Sequence, residues 1–101
     1  MKMSNLKPKE IINILEKNKN ELKRYSVKRI GLFGSFAKHM QNKNSDLDFL
    51  VTFNEMNYDN YIELKFLLQK LFKRRVDVVI ERSLKPALRY VKREALYAKR
   101  L

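Results

Sequence analysis

The sequence predicts a single α/β domain with a mixed, mainly three-stranded sheet and helices packed on it. The chain has 101 residues, 45% of them hydrophobic, which suits one modest core and leaves little room for a second domain. Three segments alternate apolar and polar residues as strands do, and the segments around them carry apolar residues at helical spacing. Residues 1–101 are therefore treated as one domain whose strands are separated by helices.

The first half of the chain predicts a helix and then a strand. Residues 6–24 read as an amphipathic helix, with Pro8 in the first turn and apolar positions at Ile11, Ile14, Leu15 and Leu22. "VKRIGLF" (27–33) is β-branched and apolar, and it predicts a strand that ends at the turn Gly34-Ser35.

The next segment predicts a second strand that opens with two acids. "SFAKHM" (35–40) predicts the start of a short helix, and the polar residues 41–45 predict a turn. In "DLDFLVTF" (46–53) one face is apolar, whereas the other face opens with Asp46 and Asp48. Carboxylates are poor strand formers and are costly to bury without a partner, so their presence here needs a reason.

The second half of the chain predicts a helix, a strand and a terminal helix. Residues 58–73 carry apolar side chains at helical spacing, and 74–80 read as a short strand in which Asp77 points away from its apolar neighbours. The terminal helix would have Pro86 in its first turn and an apolar face formed by Leu84, Leu88, Val91 and Ala95.

Composition excludes several classes of protein. The chain has no cysteine, so it forms neither a disulfide framework nor a thiolate metal site. The longest apolar runs are only a few residues, which is too short to span a membrane, and the first ten residues lack the apolar stretch of a secretion signal. We expect a cytoplasmic protein.

The net charge of +12 is concentrated toward the C-terminal end. Residues 65–101 contain twelve Lys and Arg against three acids, a surplus of nine. Such a surface attracts nucleic acid, nucleotide phosphates or an acidic protein, or it reflects lysines that only solvate helix faces. Charge alone does not choose among these alternatives.

Three carboxylates could form a metal site. Asp46 and Asp48 lie on one face of a strand, about 7 Å apart along the chain. Asp77 is the only acid of the later strand, and if the two strands are neighbours all three carboxylates converge at one end of the sheet. Their repulsion would require cations, and Mg²⁺ suits such an all-oxygen site, as does Mn²⁺.

The turn after the first strand could hold a phosphate. Gly34 allows a sharp bend and close approach of a ligand, Ser35 adds a hydroxyl, and the amides at the start of a following helix attract anions. A Gly-Ser turn alone is common, but its combination with the acid pair and Asp77 is much more specific.

Together, "GSFAKHMQNKNSDLDFLV" and "VDVVI" resemble the pattern of polymerase-β-like nucleotidyltransferases, and nearly the whole chain is covered. The small size is similar to the minimal nucleotidyltransferases (MNT) that are paired, as antitoxins, with HEPN-domain toxins. The resemblance implies the small nucleotidyltransferase fold. It also implies an enzyme that transfers a nucleoside monophosphate, AMP from ATP, to a hydroxyl of the HEPN partner, with a tyrosine as the expected acceptor.

The resemblance also implies roles for individual residues. Gly34, Ser35 and Lys38 would bind the nucleotide triphosphate, while Asp46, Asp48 and Asp77 would be catalytic and hold two Mg²⁺ ions. The family usually has Arg-Gly where this chain has Lys38-His39, and Lys38 keeps the charge but loses the bidentate fork of arginine. His39 is assigned no role.

Two other functions are retained as alternatives. The chain could be a non-catalytic antitoxin that occludes its partner through the basic C-terminal region. It could also be a nucleotidyltransferase directed at RNA, for which nucleic-acid binding would be steeply salt-dependent; this is the weaker alternative.

Overall fold

The protein folds around a mixed four-stranded sheet. The structure is a computed structural model that describes residues 6–34, 37 and 46–99. The strands in chain order are β1 (Val27–Phe33), β2 (Leu47–Phe53), β3 (Val76–Ile80) and β4 (Leu96–Tyr97). In the spatial order β3-β2-β1-β4, β1 runs antiparallel to both β2 and β4, whereas β2 and β3 are parallel. The α/β class and mixed sheet are confirmed, but the sheet has a fourth strand that was not predicted.

The helix predicted over 6–24 is two helices, α1 (Pro8–Lys17) and α2 (Lys19–Arg24). They are separated at Asn18, whose backbone leaves the helical region at φ −106° and ψ 23°. The Asn18 side-chain nitrogen donates to the carbonyl of Ile14 at 2.8 Å. Asparagine side chains compete for backbone groups in this way, which explains why the regular helix stops here.

The predicted terminal helix is wrong. Residues 81–94 form two short 3₁₀ turns, Glu81–Ser83 and Pro86–Leu88, followed by α4 (Tyr90–Glu94). Lys85, which precedes Pro86, is extended at φ −65° and ψ 149°, as expected for a residue before proline. Ala95 is also extended, at φ −67° and ψ 142°, so the chain can enter β4 beside β1. We refer to residues 82–94 as the C-terminal strap.

The two faces of the sheet are covered differently. One face packs against helices α1 to α3 (Tyr58–Phe72), and its core includes Phe49 of β2, whose ring centroid lies 5.7 Å from that of Phe72. The opposite face carries Asp48, Asp77 and Thr52, and the strap crosses it. Strand alternation therefore leaves the acids on the face that lacks the helical layer. None of the helices in the described ranges is long and apolar enough to cross a membrane.

We expect replacement of Asn57 by Ala to destabilise the fold by about 1 kcal/mol through loss of the cap of α3. Asn57 Oδ1 accepts a hydrogen bond from the backbone N–H of Asn60 at 2.8 Å. Chemical unfolding should show this change, whereas Glu63→Gln, an exposed change in the middle of the same helix, should be nearly neutral. Equal stability of the two variants would contradict the capping role.

Candidate active site

Asp48 and Asp77 lie directly opposite each other on neighbouring strands. β2 and β3 are parallel and adjacent, and their register pairs these two residues. Adjacent strands are about 4.8 Å apart, so the two carboxylates share one small region of the sheet surface. Asp48 is half-buried and Asp77 is exposed. The strand adjacency that the sequence analysis required is thus present.

Asp46 lies just before β2 and is engaged by an arginine. Its Oδ1 is 3.0 Å from Nε of Arg75, whose side chain is largely exposed, whereas that of Asp46 is about half-exposed. The Arg75 backbone carbonyl also accepts a hydrogen bond from Leu47 at 3.1 Å, so the two chain segments enter their strands together. Asp46 is therefore close in sequence to the Asp48–Asp77 pair while its carboxylate is paired with Arg75.

The carboxylates are suitable ligands for a cation that prefers oxygen donors, but the described residues do not form a complete metal-binding site. Within ranges 6–34, 37 and 46–99, no group of three or more His, Cys, Asp and Glu residues is placed to hold a metal ion. The donor set of Asp48 and Asp77 fits a hard cation such as Mg²⁺, which prefers carboxylate oxygens and completes its shell with water and phosphate. Asp46 could join that set once it separates from Arg75.

Asp48 is electrostatically strained. Burial, together with the negative charges of Asp77 and Asp46, raises its pKa to about 6. A carboxyl group that resists ionisation in the folded protein is one that a bound cation would relieve. This physical property of the site supports a cation between the acids.

This strain predicts a pH-dependent gain in stability for Asp48→Asn in the absence of divalent cations. The folded-state pKa of Asp48 lies above its ordinary value of 3.8, so its charge opposes folding increasingly as pH rises from about 4 and fully above about 6. Each pKa unit corresponds to about 1.4 kcal/mol, and because solvent screens this half-exposed group we expect a gain of about 1 kcal/mol at pH 7.5.

Urea unfolding in EDTA measures the effect. The gain should be much smaller at pH 4, where the carboxyl group is protonated in the folded wild type and only partly ionised in the unfolded chain, whose pKa is the ordinary 3.8. Glu63→Gln, which removes an exposed charge from α3, is the matched control. An equal gain at pH 4 and pH 7.5 would show that the charge of Asp48 is not the cause.

Gly34 packs directly against Asp48. It follows the last residue of β1, Phe33, which is the register partner of Asp48. Its φ is +77°, a left-handed conformation that favours glycine, and a Cβ built there would lie 2.3 Å from Asp48 Oδ2. The turn backbone can therefore approach the carboxylate only because this residue has no side chain. Ser35, Lys38 and His39 lie outside the described residues.

The acids face a cleft whose second wall the sequence analysis did not identify. The cleft has a volume of about 370 Å³. Its sheet side includes Phe33, Gly34, Asp48, Asp77 and Val79, and its strap side consists of Leu84, Leu88, Tyr90, Val91 and Glu94. Exposure of Leu88 (42%) and Tyr90 (43%) leaves apolar surface at the cleft entrance. The strap was predicted as one helix with an apolar face, and that prediction did not place its residues beside the acids.

The fold and the site together define a nucleotidyltransferase domain. Residues 9–101 match the nucleotidyltransferase domain family, and this chain belongs to that family. A curated relative, the protein adenylyltransferase MntA of Thermococcus cleftensis, is 40% identical over 98 residues, covering 94% of this chain and 99% of the relative.

Solved structures agree with this assignment. A minimal nucleotidyltransferase covers 92% of this chain and 97% of its own, with a TM-score of 0.78 and 36% identity. A toxin–antitoxin structure with AMP-PNP has a TM-score of 0.57 and 30% identity, covering 72% of this chain and 62% of that one. The complex of an MNT antitoxin with a tri-AMPylated HEPN toxin from Shewanella oneidensis has a TM-score of 0.51 and 23% identity. It covers 76% of this chain and 61% of its own, and at this identity it shows the fold alone.

Proposed function

We propose that this protein is an antitoxin that transfers AMP from ATP to a tyrosine hydroxyl of a HEPN-domain toxin in the cytoplasm. The observation that carries the proposal is the pairing of Asp48 with Asp77 beside Gly34 at one end of the cleft. The curated relative MntA is named as a protein adenylyltransferase, and a 30% identical relative was solved with AMP-PNP as a toxin–antitoxin. Both support a nucleotide substrate and a protein acceptor.

The chain's own residues would orient the reactants. The Gly34 backbone would lie against the triphosphate, with Ser35 and Lys38 as further phosphate contacts. Asp46, Asp48 and Asp77 would hold two Mg²⁺ ions, which neutralise charge on the entering and leaving oxygens when bound. Asp77, exposed in the cleft, would take the proton of the attacking hydroxyl on a carboxylate oxygen.

The transfer exchanges a phosphoanhydride bond of ATP for a phosphoester bond to the acceptor. The acceptor oxygen forms a bond to the α-phosphorus, the bond from that phosphorus to the β-phosphate bridging oxygen breaks, and pyrophosphate leaves. The acceptor keeps AMP as an ester. The apolar strap residues Leu84, Leu88 and Val91 would exclude water from the cleft, so that the hydroxyl rather than water is the nucleophile.

Incubation with ATP labelled on the α-phosphate tests the proposal. The protein, Mg²⁺ and a HEPN-domain toxin should give a labelled HEPN chain, and EDTA should prevent labelling. Parallel reactions with GTP, CTP and UTP identify the nucleotide, and Tyr→Phe variants of the HEPN protein identify the acceptor. Absence of label on the HEPN chain with all four nucleotides would refute the proposal.

An RNA acceptor is the second candidate, and the charge of the strap favours it. Arg82, Lys85 and Arg89 are exposed on the strap that borders the cleft. Phosphate contacts by such residues bind nucleic acid without sequence preference and weaken steeply with salt. The same labelled ATP supplied with RNA in place of the HEPN chain distinguishes the two acceptors, because label would then appear at RNA ends.

A further inference from the structure

Glu81 is a buried carboxylate at the end of β3, on the same face of the sheet as Asp77. The residue is only 8% exposed. Arg29 Nη2 donates to its Oε1 at 2.6 Å, and Thr52 Oγ1 donates to its Oε2 at 2.6 Å. Burial opposes ionisation, but hydrogen bonds from Thr52 and Arg29 and the charges of Arg29 and Lys92 outweigh it, so the pKa of Glu81 stays below its ordinary value. Three strands thus meet at one ionised group.

The Arg29 end of this cluster is held by β4. The Arg29 guanidinium carbon lies 4.6 Å from the centroid of the Tyr97 ring, within cation–π range. That ring lies over Gly31, where an added Cβ would come within 2.8 Å of Tyr97 Cδ1. Arg29 therefore connects Glu81 to the strand that follows the strap.

Lys92 connects Glu81 to the strap itself. Its Nζ is 3.5 Å from Glu81 Oε1, and its side chain is 42% exposed. Lys92 belongs to α4, and its neighbours Tyr90, Val91 and Glu94 line the cleft opposite the acids. The ion pair of Lys92 with Glu81 therefore helps to position the residues of α4 that form the cleft wall.

Among the described residues, the backbone hydrogen bonds of the strap outside regular elements do not hold it against β2 and β3. Within the described residues, its backbone hydrogen bonds outside regular elements are local, such as Leu84 to Glu81, Leu88 to Lys85 and Lys92 to Arg89. Side-chain contacts must therefore set its distance from β2 and β3. Among these, the ion pair of Lys92 with Glu81 joins the strap to a group that three strands hold rigidly.

We infer that Glu81 is a positioning residue, which holds the strap through Lys92 as the wall of the carboxylate cleft and thereby sets the affinity of that cleft for nucleotide. The inference rests on the proposed function for the identity of the ligand. In this role Glu81 acts through Lys92 and the strap rather than by direct contact with the acids of the site. A residue of this kind affects binding more than the chemical step, because it places the wall and leaves Asp48 and Asp77 unchanged.

Lys92→Gln tests the inference while keeping the buried Glu81 carboxylate and its hydrogen bonds from Arg29 and Thr52. Arg93→Gln is the matched control, because it removes the same charge from the adjacent exposed position of α4. Hydrogen–deuterium exchange of residues 84–94 should be about three- to tenfold faster in Lys92→Gln than in the control, as expected for loss of a weak ion pair. Lys92→Arg should restore the wild-type rate.

Labelling kinetics provide the second readout. Lys92→Gln should raise KM for ATP about three- to tenfold with kcat nearly unchanged, while Arg93→Gln should leave both near wild type. Equal exchange and equal KM in the two variants would overturn the inference, as would a fall in kcat alone. If wild type transfers no label, the proposed function and the link to nucleotide affinity both fail, and the exchange rates decide whether Lys92 anchors the strap.

Discussion

Asp48→Asn is expected to lower nucleotide transfer by about a thousandfold or more while leaving the protein folded. Asparagine keeps the shape of the side chain but removes one anionic ligand from the pair formed with Asp77. The same change removes the negative charge whose burial and whose repulsion by neighbouring acids raise the pKa of this carboxyl group to about 6. The variant should therefore be inactive and, without divalent cations, more stable than wild type at pH 7.5.

Lost transfer together with increased stability in one variant separates an effect on catalysis from an effect on folding. The same variant also tests whether the antitoxin acts by occluding its partner. Label transfer measures activity, and urea unfolding in EDTA measures stability. Glu63→Gln should match wild type in both assays. If Asp48→Asn transfers label at the wild-type rate, the assignment of the acids is wrong. If it transfers none and still neutralises the HEPN toxin fully in cells, occlusion rather than AMP transfer is the antitoxin mechanism.

Gly34→Ala is expected to lower transfer by about a hundredfold or more and to destabilise the fold by about 2 kcal/mol or more. The φ of +77° costs an L-residue energy, and the new Cβ would lie 2.3 Å from Asp48 Oδ2. The carboxylate or the turn must then move. Either movement changes the spacing between the acid that faces Asp77 and the turn where the triphosphate is proposed to bind.

A double-mutant cycle with Asp48→Ala isolates the clash. Asp48→Ala removes the carboxylate but keeps its Cβ, which lies 3.4 Å from the position of the added methyl group, an ordinary contact. Gly34→Ala should therefore cost less stability in that background, leaving mainly the cost of the positive φ. Equal costs in the two backgrounds would show that Asp48 and residue 34 do not compete for space.

Gly31→Ala is the control for a glycine substitution nearby. Its Cβ would lie 2.8 Å from Tyr97 Cδ1, so it should reduce stability through β4. Gly31 is paired with Leu50 rather than with Asp48, so its effect on transfer should be no larger than its effect on the folded fraction.

Local patterns in the sequence were sufficient for most of the regular elements. The prediction for β1 over 27–33 agrees with the observed strand, and the helix predicted over 58–73 is present as Tyr58–Phe72. These segments follow local rules of alternation, helical spacing and capping, which depend on residues near in the chain. The placement of Asp48 and Asp77 on the helix-free face followed from the same alternation.

The C-terminal region could not be predicted in this way, because long-range contacts overrule its helical pattern. Leu84, Leu88 and Val91 have helical spacing, yet the extended residue before Pro86 and the pairing of β4 with β1 turn them toward the cleft. Local periodicity carries no information about an edge of the sheet that still needs a partner strand.

The sequence by itself determined the family pattern, the face on which the acids lie and the turn at Gly34 that follows the first strand. Only the tertiary structure decided that Asp48 stands opposite Asp77, that Arg75 pairs with Asp46, and that the strap forms the second wall of the cleft. The physical reason is that side-chain direction is set by neighbours along one strand, whereas register and ion pairing join residues far apart in the chain.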